Sequence, residues 1–232
     1  MFKLDGIREL AKQAVTLQAP AGGVDNSVWD RAERLVRTVD YICGLPELAQ
    51  SSVQIDRFCL IAAAYFNEAG LARYLSTKEQ RGAFGLNEAN GGELLDLSTE
   101  VVKETLADTV ERAKIEKINR IIVESGSRSA GMMEAMILSD ARNLEDMGAA
   151  GVLNEFRRFV CCGRGICDVV QNWRKKKDYR YWQARLKEGF RFEPMRRLAE
   201  QRLLAAEQFM KQLEVEAEAQ DMKELSTKPS FS

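Results

Sequence analysis

The chain of 232 residues contains no histidine. Imidazole is the commonest neutral metal ligand and the commonest general base near neutral pH, so its loss removes whole classes of mechanism. A Ser-His or Cys-His nucleophile cannot be assembled, and neither GxGxxG nor GxxxxGK[ST] occurs to cradle a nucleotide phosphate. Long hydrophobic runs are also missing: no apolar stretch reaches 18 residues, and Asp5, Arg8 and Glu9 interrupt the first dozen positions. With a net charge of −1 there is no global field to draw the protein onto nucleic acid or an anionic membrane. These absences predict a soluble, cytoplasmic protein with no membrane partner.

Five cysteines, Cys43, Cys59, Cys161, Cys162 and Cys167, are an odd number without a secreted context, which argues against a disulfide framework. The cluster CCGRGIC offers at most three thiolates, with no histidine to complete a tetrahedron, so these thiols read as small buried or half-buried side chains rather than a zinc site.

What is present is helical almost throughout. Apolar residues recur at three- and four-residue spacing over 3–17 (Leu4, Ile7, Leu10, Ala11, Ala14, Val15) and again in the helix that Asp25, Asn26 and Ser27 can cap (Trp29, Ala32, Leu35, Val36, Val39, Ile42). A third helix is expected over 53–75, apolar on most sides. A glycine-bearing surface loop is expected over 76–96, then two helical segments up to Gly126, and helices over 130–145 and 149–160. A long closing helix over 195–220 carries Met195, Leu198, Ala199, Leu203, Ala206, Phe209, Met210 and Leu213 on one face. No convincing strand pair and no fixed-period repeat are visible.

The helical order and three local patterns resemble the HD superfamily of metal-dependent phosphohydrolases, most closely its small stand-alone bacterial members. SVWDRAERLVRTVDYI is similar to the helix that a family histidine opens, and Arg31 falls at that histidine. LIAAAYFNEAG is similar to the helix bearing the His-Asp pair, which puts Phe66 and Asn67 at the pair. AMILSDARNLEDMGAAGV is similar to the helix and turn carrying the last metal aspartate, which maps onto Asp140, and EPMRRLAEQRLLAAEQFMKQLE resembles the closing helix. The resemblance implies an all-α, HD-domain-like helical bundle. Residues 1–24 would form an N-terminal helix and linker, 25–220 the bundle, 171–194 a basic aromatic excursion before the long C-terminal helix, and 221–232 a flexible tail.

The departures from the pattern outweigh the matches. Three of four metal ligands have become Arg31, Phe66 and Asn67. Arginine stays protonated and repels a cation, and phenylalanine has no lone pair to give. Ser125 stands near a further lost histidine, and Arg142 replaces an acidic residue two positions past Asp140. Asp140 therefore reads as a structural remnant, paired with Arg31 or Arg142 or capping a helix, and Phe66 reads as core filling. Arg31 and Arg142 can still clamp a phosphate or carboxylate.

Residues 171–202 carry eleven Lys or Arg against four Asp or Glu, interleaved with Trp173, Tyr179, Tyr181, Trp182, Phe190 and Phe192. Arg174, Lys175, Lys176 and Lys177 make this an anion-binding candidate, although docking aromatics beneath a solvated basic rim is the simpler reading. The expectation is a catalytically inactive HD-like protein, with no cofactor and no metal, that acts as a binding, regulatory or structural module, its partner an unknown protein or a small anionic ligand. A phosphohydrolase with a rebuilt histidine-free site, and nucleic-acid or acidic-partner binding through the basic strip, rank below it.

Overall fold

The apolar periodicity is realised as helices that bury one stripe each in a common core. The computed structural model describes residues 4–18, 22–50, 53–77, 91–161 and 163–222. Helix α1 (Leu4–Val15) buries Ile7, Ala11 and Val15. Helix α2 (Ser27–Cys43) buries Val28, Trp29, Ala32, Leu35, Val36, Val39 and Ile42 and packs on α4 (Arg57–Phe66) and α8 (Met133–Glu145). A short turn of helix, α3 (Pro46–Ala49), starts where Pro46 is tolerated at a first helical position.

Between α1 and α2 the chain makes one element that the sequence does not announce. Strands β1 (Leu17–Gln18) and β2 (Val24–Asp25) pair antiparallel, Leu17 opposite Asp25 and Gln18 opposite Val24. Two residues per strand are too few for an alternating pattern to be read, so the absence of a strand pair inferred from the sequence is corrected here.

Helix α4 lies at the centre, with every residue from Cys59 to Phe66 buried. Asp56 caps it, accepting the Cys59 N–H at 3.1 Å. The single helix expected over 53–75 is in fact two, because the chain turns at Asn67 and Glu68 before α5 (Ala69–Thr77). Ser98 on α6 (Gly91–Leu106) stabilises the break. Its Oγ accepts the Gly70 N–H at 2.8 Å and lies 3.0 Å from the Asn67 carbonyl, to which it donates. The loop expected over 76–96 is helical from residue 91 on, and 78–90 lie outside the described residues.

Helix α7 (Arg112–Ser125) ends at Gly126 as expected, and α9 (Gly148–Cys161) follows α8 after a turn in which Gly148 adopts φ +79°. A Cβ at Gly148 would sit 2.9 Å from the Cβ of Arg202, so backbone and neighbour both require glycine. The basic excursion is not irregular: it forms α10 (Ile166–Asp178) and α11 (Tyr181–Glu188), joined through Arg180 at φ +52°. Helix α12 (Glu193–Ala217) buries Met195, Ala199, Leu203, Ala206 and Met210 against the body, while Phe209 on the same expected face is exposed. From residue 223 on, the expected tail lies outside the described residues. No helix among the described residues is long and apolar enough to cross a membrane.

Gly70 is where α5 and α6 touch most closely: a Cβ there would stand 1.9 Å from the Leu94 carbonyl oxygen and 2.7 Å from the Ser98 nitrogen. Gly70→Ala is expected to cost about 1–3 kcal/mol, since backbone must separate from backbone. Denaturant unfolding checks it, and an unchanged midpoint would contradict this packing.

Candidate functional site

Asp140 projects from α8 with 0% exposure. Its carboxylate accepts the backbone N–H of Arg191 at 3.1 and 2.9 Å and that of Phe192 at 2.9 Å, the two residues that lead into α12. The expected pairing with Arg31 or Arg142 does not form; the contact lies nearer the alternative of a helix cap, since Phe192 is the N-cap residue of α12. Backbone donors entering a helix are fixed in place, so the buried carboxylate is satisfied without a mobile partner. Burial pushes the Asp140 carboxyl up to about 6, opposed by those backbone donors and by Arg191. The Arg191 guanidinium in turn donates to Ser139 Oγ at 3.2 Å and to the carbonyls of Ser127 and Arg128, both at 3.1 Å, which clamps the α7–α8 loop to the start of α12.

The other three positions at which the HD pattern expects ligands hold no metal-binding geometry. Phe66 is wholly buried at the end of α4, inside the core. Asn67 is buried, its Nδ2 donates to Glu68 Oε1 at 2.9 Å, and its Oδ1 has no partner among the described residues. Arg31 places Nε 3.4 Å from Glu68 Oε1 and donates from Nη2 to Asp146 Oδ1 at 3.0 Å. Burial works to lower the Arg31 pKa, yet the carboxylates of Glu68, Asp146 and Glu145 outweigh it and raise it. Among the described residues no three Cys, Asp or Glu side chains group closely enough to hold an ion.

Of the four ligand positions Arg31 alone lines a cavity of about 340 Å³, whose wall carries five arginines, Arg31, Arg128, Arg142, Arg185 and Arg191, against only Asp146 and Glu188, with Ser125, Ser127 and Ser139 between them. Asp146 receives both Arg31 and Arg185. Burial would raise its carboxyl, but Arg31, Arg185 and Arg142 hold it below the usual range. Arg142 Nη1 donates to Ser125 Oγ at 3.0 Å. Burial lowers its pKa, and the nearby positive charges of Arg31 and Arg185 work in the same direction against Glu68 and Asp146. Of this group, Arg31, Arg142 and Ser125 were legible in the sequence. Glu68, Asp146, Arg185 and Arg191 were not singled out, and their signal was only that they adjoin the HD-like segments or fall in the basic strip.

The basic strip resolves differently. Arg174 is bridged to Glu214 and Glu218 of α12, and Lys176 to Glu155 at 2.6 Å while lying over the Tyr181 and Trp182 rings at 5.4 and 5.3 Å. Lys175 and Lys177 are exposed. None of the four lines the cavity. Trp173 and Trp182 pack on each other at 5.2 Å and are buried with Phe190 and Phe192, whereas Tyr179 is 83% exposed. Cys167 is exposed rather than half-buried, and burial pushes the Cys59 thiol up to about 12.

Three crystal structures of Bacillus subtilis YpgQ share the architecture. The ADP complex matches at TM-score 0.58 and 19% identity over 91% of this chain and 93% of that one, and the selenomethionine form at 0.58 and 18% over 91% and 92%. The structure of YpgQ described without ADP matches at 0.58 and 18% over 91% and 94%. The fold is an all-α, HD-like helical bundle. At this identity the likeness is one of fold. No family model and no curated protein matches the chain.

Asp140 gives the HD-like bundle a specific pH signature. Its carboxyl titrates at about 6 in the folded chain against the usual 3.8. The stability it contributes is therefore fully present below about 3.8 and is lost as pH rises through about 6. Thermal midpoints of the wild type and Asp140→Asn, measured at pH about 5 and about 7.5, should differ more in favour of the wild type at the acid end. The oppositely shifted carboxyls of Asp25, Asp56 and Asp146 are common to both proteins and cancel. A difference that is flat with pH would show that Asp140 does not titrate there.

Proposed function

We propose that the chain is a degenerate member of the HD superfamily, cytoplasmic and without metal-dependent catalysis, that works as a binding or regulatory module for a small anionic ligand. The observation that carries this reading is the fate of the four ligand positions. Arg31 is held by Glu68 and Asp146, Phe66 fills core, Asn67 bonds Glu68, and Asp140 is committed to the backbone of Arg191 and Phe192. A hard or borderline divalent ion needs several free oxygen or nitrogen donors, and beside this cluster of guanidiniums it would meet repulsion. An arginine-rich cavity favours the opposite charge.

The protein purified without chelators is expected to carry no stoichiometric Mn, Fe, Co, Ni or Zn, and not to release phosphate from ADP with or without added Mn²⁺. YpgQ has been crystallised with ADP, which makes that nucleotide the substrate on which a rebuilt histidine-free phosphohydrolase would show itself. Elemental analysis and a phosphate-release assay check both expectations. One equivalent of metal, or steady turnover, would overturn the non-catalytic reading.

Nucleic acid ranks lower as a partner, because Arg174 and Lys176 are already paired and the strip's tryptophans, Trp173 and Trp182, are buried. Changing Arg174, Lys175, Lys176 and Lys177 together to Ser should lower the thermal midpoint only modestly, with the part-buried Lys176–Glu155 pair as the main loss, since exposed pairs contribute about 0–1 kcal/mol each. A single-stranded oligonucleotide should bind both forms weakly at physiological ionic strength. Tight, salt-sensitive binding lost in the four-fold variant would promote the nucleic-acid reading instead.

A further inference from the structure

Charge is not balanced evenly around the cavity. Arg128 is paired with Glu188 at 2.7 Å, Arg191 approaches Asp140 at 3.7 Å, and Arg31 and Arg185 share Asp146, with Glu68 beside Arg31. Arg142 differs from these four. Among the described residues its side chain is bonded to a hydroxyl, Ser125 Oγ, and forms no ion pair with a carboxylate. Glu68 and Asp146 are engaged by Arg31 and Arg185, and Glu145, which also acts on Arg31, is paired with Arg34, so Arg142 is left without a carboxylate of its own among the described residues. A desolvated cation without a counter-ion is costly to the folded protein, and an anion entering from solvent relieves that cost.

We propose that this cavity binds the terminal phosphoryl group of a small phosphorylated molecule without any metal ion, and that Arg142 is the residue that anchors it. The inference rests on the anion-binding reading above and names its ligand class. A guanidinium fork can hold two oxygens of a phosphoryl group side by side, and no carboxylate among the described residues competes for that of Arg142. Ser139, which also lines the cavity, accepts from Arg191 at its Oγ at 3.2 Å and keeps its own proton to donate. A carboxylate brings one negative charge, whereas a terminal phosphoryl group brings up to two and a third oxygen, which suits a lining with five arginines against two carboxylates better. About 340 Å³ exceeds the room a phosphoryl group needs and lies at the lower end of small-molecule pockets, so the ligand's remaining body is small. A metal would be redundant, because the cavity already supplies the positive charge that Mg²⁺ brings to a phosphate.

The test is calorimetric titration of the full chain in EDTA with inorganic pyrophosphate, with sodium acetate as the carboxylate comparison. Wild type should bind pyrophosphate in EDTA and bind acetate far more weakly. Arg142→Met should weaken pyrophosphate binding by about 10–100-fold, the range for loss of a charged hydrogen-bond partner. Lys175→Met, on the exposed face of α10, should bind as wild type does. The ligand-free thermal midpoint of Arg142→Met should be close to or above that of wild type, because a half-buried charge with no carboxylate partner among the described residues has been removed; this also shows that the variant is folded. No binding by wild type, binding that requires Mg²⁺, equal binding by Arg142→Met, or acetate binding as tight as pyrophosphate would each overturn the proposal. Turnover of ADP alongside Arg142-dependent pyrophosphate binding would refute the non-catalytic reading and leave this site standing. An inert protein that ignores pyrophosphate would do the reverse.

Discussion

The buried Asp140 carboxylate and the backbone N–H groups of Arg191 and Phe192 hold the two halves of the molecule in register. Asp140 rises from α8, in the layer with α2 and α7, while the two N–H groups belong to the segment entering α12. A carboxylate without exposure must be fully hydrogen-bonded or it would be expelled from the core, so the start of α12 is fixed against α8 to within hydrogen-bond length. Everything that follows in space depends on that fixation. It sets where Arg191 reaches across to the carbonyls of Ser127 and Arg128, and so it sets the wall that closes one side of the arginine-lined cavity.

Around this anchor the charged residues form a graded system rather than a set of isolated pairs. Asp146 bridges Arg31 and Arg185 and is held ionised by them, Glu68 joins Arg31 to Asn67, and Glu145 sits buried beside Arg34 at 2.8 Å. Glu145, at 2% side-chain exposure, is the most desolvated of these carboxylates, while Asp146 and Arg142 are half-buried at the edge of the cavity. Arg142 differs from the other arginines of the cavity in having a hydroxyl rather than a carboxylate as its partner among the described residues.

The basic aromatic strip divides in space in a way that its composition does not show. Its eleven cations in 171–202 look like a nucleic-acid surface on paper. In space α10 and α11 fold back, Trp173 and Trp182 turn inward, and Glu155, Glu214 and Glu218 from other helices meet Lys176 and Arg174. One strip arginine, Arg185, goes instead to the cavity through Asp146. Residues that are neighbours in sequence therefore serve two unrelated surfaces, because successive positions on a helix point in different directions.

Periodicity by itself determined the helices of this protein: the stripes on α1, α2 and α12 were legible because burial repeats every three to four residues, and Gly126 marked the end of α7 as a local backbone signal. The absence of histidine was likewise enough to exclude imidazole chemistry anywhere in the chain. Tertiary structure alone decided the break at Asn67 and Glu68, which Ser98 satisfies from 31 residues away, and the two-residue hairpin, too short to show a pattern. It alone decided the partners of Asp140 as well. A carboxylate's choice between a guanidinium and a pair of backbone donors is a matter of distance and desolvation across 51 and 52 residues of chain, and neither quantity is written in local sequence.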